Sequence, residues 1–177
     1  MKRKRIAVAV DTRQFKNSSH REKVVEHVFL GELLRYLWVK RIAGVQVLKP
    51  EVDAAGYDLV LALGKTIRHV QLKTMIKGGK ARFQPVHDSL AAHPSGCVVW
   101  IVLNEELRFE QFLWYGERPG RPLGKLLDCS RAKKAMANSK GVKSFKPNTR
   151  KVPKSAFESM DGIDALARRL FGARLSA

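Results

Sequence analysis

Apolar positions along this chain change period several times, and each change predicts an element. Residues 5–10 alternate weakly and read as a short strand. Ser19-His20-Arg21-Glu22 matches a capping box, in which the serine caps a helix and the glutamate three residues on reaches back. The helical pattern that follows predicts one long helix over 19–43, stopped by Gly44. Three β-rich stretches come next, at 45–48, 57–63 and 66–74, the last two joined at Gly64-Lys65 as a tight hairpin. Lys77-Gly78-Gly79-Lys80 reads as a flexible basic loop, 85–92 as a short helix, and 97–103 as the most hydrophobic strand. Near the end, Phe157, Met160, Ile163, Leu166 and Leu170 are spaced for one buried face of a helix over 155–171. No internal repeat or low-complexity tract interrupts this order.

Helix, three strands, helix, strand predicts an α/β fold. The length, 177 residues, suits one domain with a proper core. We divide it into a basic N-terminal segment (1–18), a core domain (19–127), a basic loop or arm (128–154) and a C-terminal helix packing on the core (155–177). No apolar run approaches the ~20 residues of a membrane helix. The basic start lacks the long apolar stretch of a secretory leader, so a cytoplasmic protein without a membrane partner is expected. Cys97 falls inside the hydrophobic strand and reads as a small core residue. Without a CxxC or a Cys/His cluster, a structural zinc site is not expected. Trp38 and Trp100 read as core. Trp114-Tyr115 reads as packing, with stacking on a base as the alternative.

Charge changes the picture most. Thirty-four Lys and Arg face sixteen Asp and Glu, a formal net charge of +18. Self-repulsion of that size is usually matched by a polyanionic partner, and nucleic acid suits best because each neutralised phosphate releases a counterion. Residues 131–154 hold nine Lys or Arg and no acid. They read as a mobile arm contacting phosphates, which asks for charge and reach rather than exact geometry. The expected nucleic-acid contacts are Lys77, Lys80, Lys133, Lys134, Lys140, Lys143, Lys146, Arg150 and Lys151.

Candidate chemistry lies in the second and third β-rich stretches. Strand side chains alternate faces. Tyr57, Leu59, Leu61 and Leu63 therefore share one face, with Asp58 on the other; Val70 and Leu72 oppose His69, Gln71 and Lys73. Paired strands then present Asp58, Gln71 and Lys73 side by side. A carboxylate and an amide oxygen suit a hard cation such as Mg²⁺, and a lysine beside it can orient water or stabilise charge on a phosphate. On the first helix Glu26 and Glu32 are six residues apart and point about 120° from each other. Glu26 shares its stripe with Leu30, Leu33 and Leu37, where a carboxylate is costly unless paired or bound to metal. Glu26 is thus the expected site residue and Glu32 a surface one.

Asp58, twelve intervening residues, then Gln71-Leu72-Lys73 inside consecutive strands resembles the PD-(D/E)XK nuclease superfamily, with the restriction-endonuclease-like fold. The resemblance covers roughly residues 19 to 103. It implies an αβββαβ core with a mixed central sheet, here followed by a basic C-terminal extension. It also implies Mg²⁺ or Mn²⁺ held by Glu26, Asp58, Gln71 and the Leu72 carbonyl, with Lys73 positioning the water. The implied activity is metal-dependent cleavage of nucleic acid, DNA rather than RNA. Members of this superfamily often work as dimers, although no segment here identifies an interface. Gln71 departs from the pattern, which most often has Asp or Glu there; an amide lowers the expected metal affinity. Two alternatives stay open: a module of the same fold that binds without cutting, and a basic adaptor protein.

Overall fold

The computed structural model describes residues 18–51, 56–134, 136 and 141–175. The strand expected over 5–10 and the expected contact Lys140 lie outside them. The chain forms an α/β structure whose six-stranded sheet is mixed. In chain order the elements are α1 (Ser18–Val39), β1 (Gln46–Leu48), β2 (Leu59–Leu63), β3 (Thr66–Ile76), β4 (Phe83–His87), β5 (Gly96–Leu103), β6 (Phe109–Gly116), β7 (Arg131–Lys133), β8 (Phe145–Pro153), β9 (Glu158–Met160) and α2 (Gly162–Phe171). The main sheet runs β1-β2-β3-β5-β6-β9, and β4-β8-β7 form a second, three-stranded sheet. Among the described strands only the β3–β5 pair is parallel.

Two apolar clusters sit on the two faces of the main sheet, and β5 separates them. Cys97, Val99, Ile101 and Leu103 face the layer of α1 and α2. Val98, Trp100 and Val102 face a layer that includes Val86 of β4 and Val152 of β8. A strand covered on both sides reads as a continuous hydrophobic run, which is why this one stands out in the sequence. Burial pushes the Cys97 thiol up to about 12, against the nearby Arg68 charge, in keeping with a core residue. On α1, Val25, Phe29, Leu33 and Leu37 form the four-residue stripe that meets the sheet.

Several elements differ from expectation, each for a local reason. The long helix begins at Ser18, so Ser19 lies within it rather than capping it, and it ends at Val39. The stop is Arg41, which takes the left-handed conformation at φ 58°. The Ile42 N–H returns to the Leu37 carbonyl and the Arg41 N–H to the Trp38 carbonyl, both at 2.9 Å. That pair of bonds is a Schellman motif with arginine in the position glycine usually fills. Trp38 beside it is 78% exposed and is not core, whereas Trp100 is fully buried. The short helix expected over 85–92 is strand β4 followed by a 3-10 turn, Asp88–Ala92. Pro85 is tolerated because β4 is an edge strand and pairs on one side only. The basic arm is not a loop throughout: β8 pairs with β4 and β7 pairs with β8. The terminal helix is shorter than expected, since Phe157 and Met160 precede it and Met160 belongs to β9. Strand β6, which carries the buried Trp114 and Tyr115, was not expected at all.

One buried cation ties the layers together. Arg68, on the helix-facing side of β3, is fully buried with no carboxylate bonded to it. Its guanidinium donates to the Leu170 carbonyl at 2.8 Å, the Arg169 carbonyl at 2.9 Å and the Glu117 carbonyl at 2.8 Å. The first two are orphan acceptors of the last turn of α2, at the negative end of its dipole. Its guanidinium carbon lies 5.2 Å from the Trp114 ring centroid. Removing the donor strands three carbonyls in a dry environment, at roughly 1–3 kcal/mol each before relaxation. Arg68→Met is therefore expected to lower stability by about 3 kcal/mol, read as a fall in the urea midpoint with little change in slope. Arg68→Lys, which keeps the charge but loses the fork, is expected to fall between the two.

Candidate active site

The two-residue loop Gly64–Lys65 sets the register of the β2–β3 hairpin, from Leu63↔Thr66 to Leu59↔Val70. Gly64 takes φ 58°, which tight hairpins of this kind require. One residue before the hairpin ends, Asp58 continues the ladder in two ways. Its N–H donates to the Val70 carbonyl at 2.9 Å. Its Oδ2 accepts from the Leu72 N–H at 2.6 Å. The carboxylate thus serves a ladder donor that β2 is too short to reach, and β3 holds it in place. Just before it, Gly56 has φ +75°, and a Cβ there would come within 2.5 Å of Ser89 Oγ and 2.9 Å of His87 Cβ, so only glycine fits.

Gln71 and Lys73 follow on the same face of β3 by alternation. The Gln71 Oε1 atom is buried and has no hydrogen-bond partner. Glu26 arrives from α1 and is 4% exposed. Its Oε2 lies 3.0 Å from Lys23 Nζ and its Oε1 2.5 Å from Lys49 Nζ. Burial alone would raise the pKa of Glu26; hydrogen bonds and charge from Lys49 and Lys23 outweigh it and hold the carboxyl below the usual glutamate range. Glu26, Asp58, Gln71, Leu72 and Lys73 all line one cavity of about 690 Å³, with Lys49, Tyr57 and Gln84 among the other residues of its wall. Glu32 pairs with Arg35 on the outer side of α1, as expected of a surface residue.

The expected ligands in this cavity are oxygen donors, the Glu26 and Asp58 carboxylates and the Gln71 amide; Glu22 and Glu51 add two more carboxylates to the lining, and Arg21, Lys23, Lys49 and Lys73 add cations. Among the described residues no three His, Cys, Asp or Glu side chains gather as a metal-holding group. The buried Gln71 oxygen without a hydrogen-bond partner is nonetheless of the donor type that a hard cation takes. Both Glu26 oxygens are in contact with ammonium groups, so a cation must compete with Lys49 and Lys23.

Spacing on a helix could have pointed to Lys23, three residues from Glu26. Lys49 carried no such signal; it meets Glu26 only because β1 ends beside α1. His69 does not line the cavity. It stacks on His93 at 4.6 Å, and Tyr57 meets both rings edge-on. Burial lowers its pKa, partly opposed by the Pro94 carbonyl.

The basic residues divide into groups. Lys77 pairs with Glu110 at 2.8 Å, and Lys80 and Lys146 are exposed. Lys133, Lys134, Lys143 and Lys151 line a second cavity. Arg150 does not join them: its guanidinium turns inward to Asp88 at 3.0 Å and the Cys129 carbonyl at 3.2 Å, which makes it a structural residue of β8.

No protein-family model matches the chain, and neither does any curated protein sequence. Among solved structures it is similar to a bacterial homing endonuclease, with 19% identity and a TM-score of 0.35 over 67% of this chain and 79% of that one. A likeness of that strength carries no functional weight.

Glu26 makes the structure sensitive to acid, and the sign is fixed. A carboxyl whose folded pKa is depressed contributes stability that is present above its unfolded pKa and lost as pH falls through the folded one. The contribution is therefore complete above pH 4.5, the ordinary glutamate value, and disappears below it. Urea midpoints of wild type and Glu26→Gln are expected to converge on acidification below that pH. In Lys49→Met, which removes the largest of the interactions that lower this pKa, the acid-induced loss is expected to be smaller than in the wild type.

Proposed function

We propose that this protein is a metal-dependent nuclease that hydrolyses phosphodiester bonds, in DNA rather than RNA, at the cavity of Glu26, Asp58, Gln71 and Lys73. The observation that carries the reading is that these four side chains, from α1, the residue before β2, and β3, line one cavity, and that one of them carries a buried amide oxygen without a hydrogen-bond partner. The formal net charge of +18 supplies the attraction for a polyanion. The resemblance of the Asp58 and Gln71-Leu72-Lys73 pattern to PD-(D/E)XK nucleases supplies the reaction class and favours DNA.

In this reading Glu26, Asp58, Gln71 and the Leu72 carbonyl would hold Mg²⁺ or Mn²⁺. When bound, the ion supplies Lewis-acid stabilisation of charge on the phosphate and acidifies a ligated water. Asp58 is pre-oriented, because its Oδ2 is fixed by the Leu72 N–H of the same strand that carries Gln71 and Lys73. Lys73 orients the attacking water and offsets negative charge developing on the phosphate. Lys49 and Lys23 hold Glu26 ionised despite its burial, so that its carboxylate is ready for the ion.

A second reading is favoured by one feature: the amide at position 71 brings no charge, and Glu26 is already paired. On that reading the protein binds nucleic acid and does not cut it. Plasmid and single-stranded DNA incubated with Mg²⁺, Mn²⁺ or EDTA separate the two. Cleavage that EDTA abolishes, and that Asp58→Ala and Lys73→Ala each reduce by about 100-fold or more, supports the nuclease. Binding without cleavage under every metal supports the module. Independently of activity, Gln71→Glu adds a charged ligand and is expected to tighten Mn²⁺ about tenfold, equivalent to ~1.4 kcal/mol, in a calorimetric titration.

A further inference from the structure

The second cavity lies about the β4-β8-β7 sheet and has a volume of about 730 Å³. Its wall combines Phe83 and Phe145 with five cations, Arg131 and four lysines, and it holds no Asp or Glu. Both rings face out: Phe83 is 41% and Phe145 55% exposed. Neither belongs to either apolar cluster of the core. Each has an ammonium over it, Lys151 at 4.2 Å from the Phe83 centroid and Lys133 at 5.8 Å from that of Phe145.

Two features need a common cause. An open phenyl ring loses free energy in water, and five like charges around one concavity repel each other. A ligand that carries flat apolar faces and regularly spaced negative charge relieves both. Nucleotides have that composition, with base and phosphate on the same unit. Within a duplex the bases are already stacked on one another, and their faces are out of reach of a side chain. Only unpaired nucleotides can offer them.

We infer that this cavity binds an unpaired stretch of nucleic acid, its bases stacked on Phe83 and Phe145 and its phosphates set against Lys133, Lys151 and their neighbours. The inference deepens the proposed function by naming the form of the substrate, and it rests on that reading only for the role the bound strand plays. Strand β4 connects the two places: Gln84 and Pro85 line the first cavity, and Phe83 lines the second. A strand seated on Phe83 and Phe145 is therefore held one short strand away from Asp58 and Lys73.

Fluorescence anisotropy in EDTA, where no cleavage occurs, tests binding apart from chemistry. The probes are a labelled oligo-dT, an abasic oligomer of the same length, and a duplex. The expected result is preference for oligo-dT over both, and a loss of about 5- to 100-fold in oligo-dT affinity for Phe83→Ala and for Phe145→Ala. Abasic affinity is expected to stay unchanged in these variants, and Phe145→Trp to restore or strengthen binding. Lys133→Ala is expected to weaken both single strands alike and to reduce the salt slope by about one. Because both rings are exposed, thermal midpoints should hold. Oligo-dT binding unchanged in both phenylalanine variants would overturn the inference. So would equal affinity for duplex, or displacement of oligo-dT by a poly-glutamate peptide at matched charge. Failure to cut DNA while these bindings hold would overturn the nuclease and leave the binding site standing.

Discussion

Arg68 is a full positive charge that is fully buried, and its three carbonyl acceptors come from parts of the chain far from β3. A guanidinium cannot shed its proton to escape burial, so its donors must be met. Meeting them requires α2 to end above β3 and the turn after β6 to arrive at the same point. The helix gains as well, since its last carbonyls would otherwise have lacked donors. The clasp therefore fixes the C-terminal helix against the sheet and closes the helix layer over one face of β3. Tyr36 of α1, which donates to Asp164 of α2, joins the two helices on the same side. With that face sealed, the opposite face of β3 is free to be polar.

Charge is sorted by its surroundings. Arg68 and Arg150, with carbonyl or carboxylate partners, are built into the fold, whereas Lys77 keeps its Glu110 partner at the surface. Lys151 lies over the Phe83 ring in the second cavity. The formal net charge of +18 is thus unevenly placed, and the second cavity gathers five cations with no acid in its lining.

Asp58, Gln71 and Lys73 were legible because a two-residue hairpin turn and strict alternation determine which side chains meet. Glu26 was legible because a carboxylate on an apolar helical stripe needs a reason. The small sheet was not. Only Thr149 and Val152 are buried on β8, and the strand's other residues are basic, proline or exposed. Such a stretch has no hydrophobic period, and it becomes a strand through pairing with β4, more than sixty residues earlier. The end of α1 was misjudged because arginine stands where the expected signal is glycine. Tyr115 and Trp114 were recognised as aromatic, yet strand β6 was missed, since Phe109–Gly116 is polar at its start and apolar on both faces at its end.

The pairing of β4 with β8, from Phe83↔Pro153 to His87↔Thr149, is anchored in the core by Val86 and Val152. The distance between the two cavities therefore depends on this ladder and on buried residues that line neither of them. Each concavity can be relined by substitution while its separation from the other stays the same. The exposed lining on either side can then change independently, with the edge strand acting as a fixed spacer between the two.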